Sequence, residues 1–407
     1  MPSAVLTPRM ISMRGYIPVT QLVTMKHFLA GIVTALCLLT TASAQSLPAP
    51  TIAAKSWLLL DASSHQIIAS QNADERVEPA SLVKLMTAYL AFAALRDKRL
   101  DLQQMINTSV NAWKVDPSSS KMFIEPNKPV SINDLLFGLI SVSGNDAAVA
   151  LAEAVAGTED AFVTLMNQEA QRQGMVGTHY SNPHGLPSAN TYTTARDLAI
   201  LSNNLVTDFP EYYHTFYSVK QFTYNKITQP NRNRLLWLDP TVDGMKTGHT
   251  SSAGFSLITS AKRPAVNNGE RRLVSIVIGT TSDQVRTQES QKLLNWGFQN
   301  FDAVKLYDKN QPVDTPSVWK GSQGKIKIGF THDMYVTVPK GSAAKIQPVL
   351  ERNDPIVAPV SENDKVGVLK INIDGKTIAE QPLVALESVS TAGFIGRAWD
   401  SFLLLFK

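Results

Sequence analysis

The 407-residue chain has a single cysteine, Cys37, and it lies in an apolar run near the N-terminus. That scarcity excludes a disulfide framework, a cysteine nucleophile and a thiolate metal site, so any chemistry falls to Ser, Lys, His or carboxylates. Histidine is scarce too. The seven residues show no paired ligand spacing, so neither metal catalysis nor a cofactor is expected. Charged residues make up only 18% of the chain against 44% hydrophobic ones, which excludes a disordered or supercharged protein and leaves enough material for two or three packed domains. The formal charge of +4 carries no nucleic-acid signal, because Arg9, Arg14 and Lys26 fall in an N-terminal leader and 35 cations then face 34 anions.

The leader places Lys26 and His27 before an apolar run from Phe28 to Leu39, followed by Thr40-Thr41-Ala42-Ser43-Ala44 and Gln45. The run is shorter than the roughly 20 residues that cross a bilayer. Residues 1–44 therefore read as a secretory signal peptide cleaved after Ala44, with Met25 as the expected start. Leu36, immediately before Cys37, stands where a lipoprotein signal requires a small residue.

Trp57 to Ile68 reads as two short strands around Asp61-Ala62-Ser63-Ser64, and Pro79 opens a helical pattern to about Leu95. Ser131 to Gly174 is a run of helices; Ser131 with Asp134, and later Thr194 with Asp197, look like capping boxes. Between Phe222 and Thr280 the period becomes alternating, with Asn268-Gly269 as a hairpin turn, and a helix follows from about Gln284 to Phe298. Strands, helices and strands again make an α/β first domain, expected over 45–304, whose two ends meet in one sheet. Short alternating runs such as Tyr335-Val336-Thr337-Val338 then predict a β-rich domain over 305–390. In the last segment, 391–407, Phe394, Ile395, Ala398, Trp399, Phe402, Leu403 and Phe406 recur at helical spacing opposite Arg397, Asp400 and Ser401. This is the pattern of an amphipathic helix lying on a membrane surface.

Three short motifs stand out. Ser81-Leu82-Val83-Lys84 puts a hydroxyl and an amine on one face at a helix start. The same Ser-x-x-Lys spacing recurs at Ser118, Ser317, Ser322 and Ser342, but in loops or in the β-rich region. Ser143-Gly144-Asn145 falls at a turn between helical runs, where a hydroxyl and an amide can point back at Ser81. Lys246-Thr247-Gly248 ends a strand-like stretch; its amine and hydroxyl suit a substrate carboxylate, and Gly248 permits close backbone approach.

Taken in order, the three motifs resemble the signatures of serine penicillin-binding proteins and class A β-lactamases. The longer strings Pro79-Ala80-Ser81-Leu82-Val83-Lys84-Leu85-Met86-Thr87 and Asp243-Gly244-Met245-Lys246-Thr247-Gly248-His249-Thr250 resemble the low-molecular-mass D-alanyl-D-alanine carboxypeptidases of the penicillin-binding protein 5 and 6 type. The resemblance runs on through Asn231-Arg232-Asn233, the β-rich domain and the terminal helix. It implies an antiparallel sheet flanked by helices, a helical subdomain carrying the second motif, a β-rich domain and an amphipathic helix. It also implies Arg232 and Arg286 as active-site arginines and matches His184 to a histidine of the second-motif region, although the loop Thr280 to Val285 departs from the family's usual residues.

The chemistry so implied is acyl transfer: Ser81 as nucleophile, Lys84 as base, Ser143 as proton relay and Asn145 positioning the peptide. Burial, the helix N-terminus and Lys246 are all expected to lower the pKa of Lys84. The backbone N–H groups of Ser81 and His249 would form an oxyanion hole, and Lys246, Thr247 and Arg232 would hold a terminal carboxylate. The implied partners are peptidoglycan stem peptides, β-lactams as covalent inhibitors and a membrane surface. The implied place is the periplasmic face of a bacterial inner membrane. The Glu-x-x-Leu-Asn string of class A β-lactamases is missing between Asn145 and Lys246, so a β-lactamase is disfavoured. A DD-endopeptidase shares all three motifs, and a catalytically inert wall-binding protein would lack Ser81 or Lys84.

Overall fold

The computed structural model describes residues 48–265 and 269–404. The expected signal peptide, the start at Met25 and Cys37 lie outside the described residues, as do Asn268 of the predicted turn and Phe406.

Five antiparallel strands form the central sheet in the spatial order Gln66–Gln71, Ser56–Asp61, Glu270–Thr280, Gly254–Pro264, Val242–Thr250. The first two strands thus close against the last three, as the strand–helix–strand order predicts. One face of the sheet packs on the helix Asp283–Asn300 through Leu257, Leu273, Val277, Leu293 and Leu294. The other face packs on the helical subdomain through Leu58, Leu60, Ile258, Val274 and Ile276. At the centre of that subdomain the helix Lys84–Arg96 is buried on nearly every side, because its sequence is apolar all round rather than on one stripe.

The side-chain oxygens of Ser131 and Thr194 accept from the N–H groups of Asp134 and Asp197 and so cap the helices Ile132–Ser141 and Ala195–Asp208. In both the bond runs from the helix N–H to the cap oxygen; the Asp197 carboxylate turns instead to Gly177 N, at 2.8 Å, and to Thr178 Oγ1.

Strand Phe301–Tyr307 pairs with Met334–Pro339, so the boundary expected between 304 and 305 falls inside a strand and the chain changes partners at the end of the long helix, Asn300. A five-stranded sheet and a short parallel pair, Val318–Trp319 with Ile356–Val357, complete this region. Of the alternating run Lys325 to Ile328, only Ile328 enters a strand. Thr337 ties the region to the first sheet: its hydroxyl donates to Asp61 Oδ2 at 2.7 Å, and its N–H donates to Gln66 Oε1 at 2.6 Å. Asp61 also accepts from Arg271 Nε at 2.8 Å, an ion pair buried on both sides.

In the helix Phe394–Leu403, Asp400 faces the β-rich region: its Oδ2 accepts from Lys320 N at 2.5 Å. Among the described residues no helix is long and apolar enough to cross a membrane.

Candidate active site

Ser81 lies in a 3₁₀ turn, Ala80–Val83, that precedes the α-helix beginning at Lys84. Pro79 sets φ and Ala80 takes the left-handed φ of +48°, which turns the chain tightly before the serine. With about three residues per turn, side chains at i and i+3 eclipse. Lys84 Nζ accordingly lies 3.1 Å from Ser81 Oγ. The loop carrying Asn182 and His184 presses on this turn, and Gly185 makes that possible: it has φ +85°, and a Cβ there would lie 1.9 Å from Ala80 O.

The amine of Lys84 also reaches Asn145 Oδ1 at 2.6 Å and the backbone carbonyl of His184 at 2.5 Å. A neutral amine has two N–H donors and one lone pair. Two carbonyl-type acceptors use both donors and leave the lone pair for the Ser81 hydroxyl. Burial pushes the pKa of Lys84 down to about 7, against the opposing pull of the Asp146 carboxylate. The pKa of Lys246 is depressed as well, by burial first and then by Lys84, Arg232 and Arg286. Burial likewise pushes the His184 ring down to about 3, so it stays neutral.

Ser143 sits in the left-handed region, φ +64°, between the helices Ile132–Ser141 and Asn145–Ala156. Its hydroxyl accepts from Lys246 Nζ at 2.9 Å, and Lys246 also reaches Thr247 O at 3.0 Å. The strand that supplies Lys246, Thr247, Gly248 and His249 is the sheet edge beside the serine turn. A Cβ at Gly248 would lie 3.0 Å from Pro79 O.

Ser81, Ser143, Thr247, Gly248, His249, Arg232 and Arg286 line one cleft of about 460 Å³, while Lys84, Asn145 and Lys246 are buried around it. Arg232 faces the cleft because Asn231 and Asn233 on either side are buried and bolted down, Asn233 Nδ2 donating to Gly244 O at 2.9 Å. Arg286 is less free than the resemblance implies. It donates to Gly248 O and Ser256 O at 3.1 and 3.2 Å and pairs with Asp283, so part of its guanidinium supports the strand.

Several groups at the site carried no weight in the sequence reading. Asp146 accepts from Met122 N, Phe123 N, Ile124 N and Ala147 N, folding the 118–124 loop beside the cleft; its signal was an acid in the first turn of a buried helix. The His184 carbonyl has no sequence signature at all. Arg234 and Asp283, which also line the cleft, pair at 3.4 Å.

Residues 41–282 match the D-alanyl-D-alanine carboxypeptidase family, and residues 301–391 match the penicillin-binding protein 5 C-terminal domain. The chain is 39% identical to D-alanyl-D-alanine carboxypeptidase DacC of Escherichia coli K12, over 90% of this chain and 91% of that protein. It is similar to the crystal structure of penicillin binding protein 5 from Haemophilus influenzae, at 41% identity and a TM-score of 0.78, covering 84% of this chain and 99% of that one. Penicillin-binding protein D2 of Listeria monocytogenes, solved in a cefotaxime-bound form, is similar at 28% identity and a TM-score of 0.56, over 62% of this chain and all (100%) of that one.

Proposed function

The chain belongs to the D-alanyl-D-alanine carboxypeptidase family, and on that premise we propose how its residues remove the terminal D-alanine from a peptidoglycan stem peptide. The observation that carries the proposal is the Lys84 amine, held by Asn145 and His184 so that its remaining valence meets Ser81 Oγ. Neutral Lys84 takes the Ser81 proton, and Oγ bonds to the carbonyl carbon of the penultimate D-alanine. The negative charge that develops on the carbonyl oxygen falls to the N–H groups of Ser81 and His249, a contribution of about 3–4 kcal/mol at such sites. The C–N bond then breaks; the proton passes from Lys84 through Ser143 to the departing amine, and an ester remains on Ser81. Water attacks that ester, gives its proton to Lys84, and returns the serine.

Thr247 and Arg232, backed by Lys246, would hold the terminal carboxylate and so require a free chain end, a reading supported by their both lining the cleft. A β-lactam presents a comparable carboxylate and acyl carbon and acylates the same serine. Without the Glu-x-x-Leu-Asn element no carboxylate is supplied to speed deacylation, so the protein is inhibited by β-lactams rather than destroying them.

The leader and the terminal helix support a location on the outer face of a cytoplasmic membrane, reached after cleavage at Ala44. Phe394, Ile395 and Trp399 are 80%, 85% and 63% exposed while Asp400 faces the β-rich region, an orientation suited to an interfacial helix. The β-rich region then spaces the cleft from the lipid.

Release of D-alanine from diacetyl-Lys-D-Ala-D-Ala, compared with the same peptide amidated at its C-terminus, tests the residue assignments. Wild type is expected to cleave the free acid, to cleave the amide at least about tenfold less well, and to lose both on Ser81→Ala. Equal cleavage of acid and amide would overturn the carboxylate subsite.

A further inference from the structure

The two N–H groups assigned to the oxyanion hole sit on different pieces of chain. Ser81 belongs to the turn Ala80–Val83, and His249 to the edge strand Val242–Thr250. The two pieces touch closely: a Cβ at Gly248 would lie 3.0 Å from Pro79 O and 3.1 Å from the Leu82 side chain. Apolar packing is non-directional, so it sets the distance between them more firmly than their register. Among the described residues, the hydrogen bonds that join the segment 78–83 to the segment 242–252 all come to one carboxylate, that of Glu78.

Thr250 Oγ1 donates to Glu78 Oε1 at 2.8 Å, and Ser252 Oγ donates to Glu78 Oε2 at 2.5 Å. Each hydroxyl has one hydrogen to give, and the carboxylate takes both. With its hydrogen so used, Thr250 Oγ1 accepts from Ala253 N at 2.9 Å and closes the turn that follows the strand. The strand is paired with Gly254–Pro264 as far as Thr250 with Gly254, so the hairpin moves as one body. What Glu78 fixes is the tip of that hairpin against the serine turn. It stands three residues before Ser81, and Thr250 stands one residue after His249. Glu78 does not itself line the cleft, so it acts on the reaction only through the residues it holds.

We propose that Glu78 is a positioning residue for acyl transfer: by binding Thr250 and Ser252 it sets the His249 N–H against the Ser81 N–H, and so the fit of the oxyanion hole. This rests on the roles assigned to Ser81 and His249 above. The hole acts twice in each turnover, when Oγ attacks the peptide and when water attacks the ester, so a loosened tip slows both steps. Lys246 and Thr247 lie deeper in the hairpin, and Lys246 is anchored separately on Ser143 Oγ, so binding of the substrate carboxylate is left in place. The loss therefore falls on the transition state rather than on the bound substrate.

Steady-state D-alanine release, with the infrared carbonyl band of the benzylpenicilloyl ester, tests this on wild type beside Glu78→Ala. The variant is expected to lose about tenfold in kcat with KM within about twofold of wild type. Its ester band should move to higher frequency, as a carbonyl's does when hydrogen-bond donors release it. Glu78→Gln still offers an oxygen to one hydroxyl and an N–H to the other, and should restore kcat to within about threefold of wild type. Thr250→Val combined with Ser252→Ala removes the same bonds from the other side, and gives the same readouts should Glu78→Ala not fold. An unmoved band with unchanged kcat, even where the melting temperature drops, would overturn the positioning role. Absence of any ester on wild type would overturn it together with the Ser81 assignment, a failure distinct from an unmoved band on an ester that forms.

Discussion

Around Ser81 the molecule buries charge, with Lys84 and Lys246 only 1% and 2% exposed; at its far end it exposes apolar surface, with Phe394, Ile395 and Trp399 turned outward on the terminal helix. Both arrangements run against ordinary partitioning, and the difference lies in what offsets them. The buried amines are answered inside the protein, by Asn145 Oδ1, the His184 carbonyl and Ser143 Oγ, and the residual cost emerges as the lowered pKa on which the proposed mechanism draws. The exposed helix is tied to the β-rich region through Asp400, which accepts from Lys320 N, and Phe394, Ile395 and Trp399 form the surface that the proposed membrane contact would use. The proposed function thus draws on an altered protonation equilibrium in one region and on exposed apolar surface in the other.

The sharpest way to break the first half of that contrast is Lys84→Arg, which keeps the cation but abolishes the neutral base. Its kcat/KM for D-alanine release should fall by about a thousandfold or more, as for Lys84→Ala; retention within tenfold would mean that a permanently charged group suffices. The joint between the regions should be the next most sensitive. Asp61→Asn leaves Arg271 buried without its counter-ion, and chemical denaturation should report a loss of about 3 kcal/mol. A loss below about 1 kcal/mol would show that Thr337 and Phe301 O hold the junction without the charge.

Removing the chain after Val389 should lower partitioning onto anionic phospholipid vesicles by roughly a hundredfold while leaving peptide hydrolysis within about twofold of wild type. Unchanged vesicle binding would move the membrane contact elsewhere. The smallest effect expected is with pH. Because Lys84 must be unprotonated, kcat/KM should fall about tenfold per unit below pH 7 and level off above it, with a midpoint near the value of about 7 set by burial. A flat profile down to pH 5 would exclude Lys84 as the base.

Much of this contrast was legible in the sequence. Each of the three motifs is contiguous, so Ser81 with Lys84, Ser143 with Asn145, and Lys246 with Thr247 could be read as pairs before any fold was known, and the return of the late strands to the early ones followed from the alternating pattern after Phe222. What escaped had no side-chain signature. The His184 carbonyl acts through backbone, the left-handed turns at Ala80 and Ser143 are set by packing against Gly185 and by the junction of two helices, and Arg234 meets Asp283 across 49 positions of sequence. The pKa of Lys84 is lowered as expected, but by burial against the pull of Asp146, while the repulsion between the two amines bears on Lys246; which of two buried amines yields is decided by geometry that the sequence does not show.

Intact mass after incubation with benzylpenicillin, for wild type beside Ser81→Ala, tests the central claim most directly, since it reports the covalent bond itself. A stoichiometric adduct on wild type and none on Ser81→Ala is the predicted result; an adduct on both, or on neither, would contradict an acyl-enzyme at Ser81.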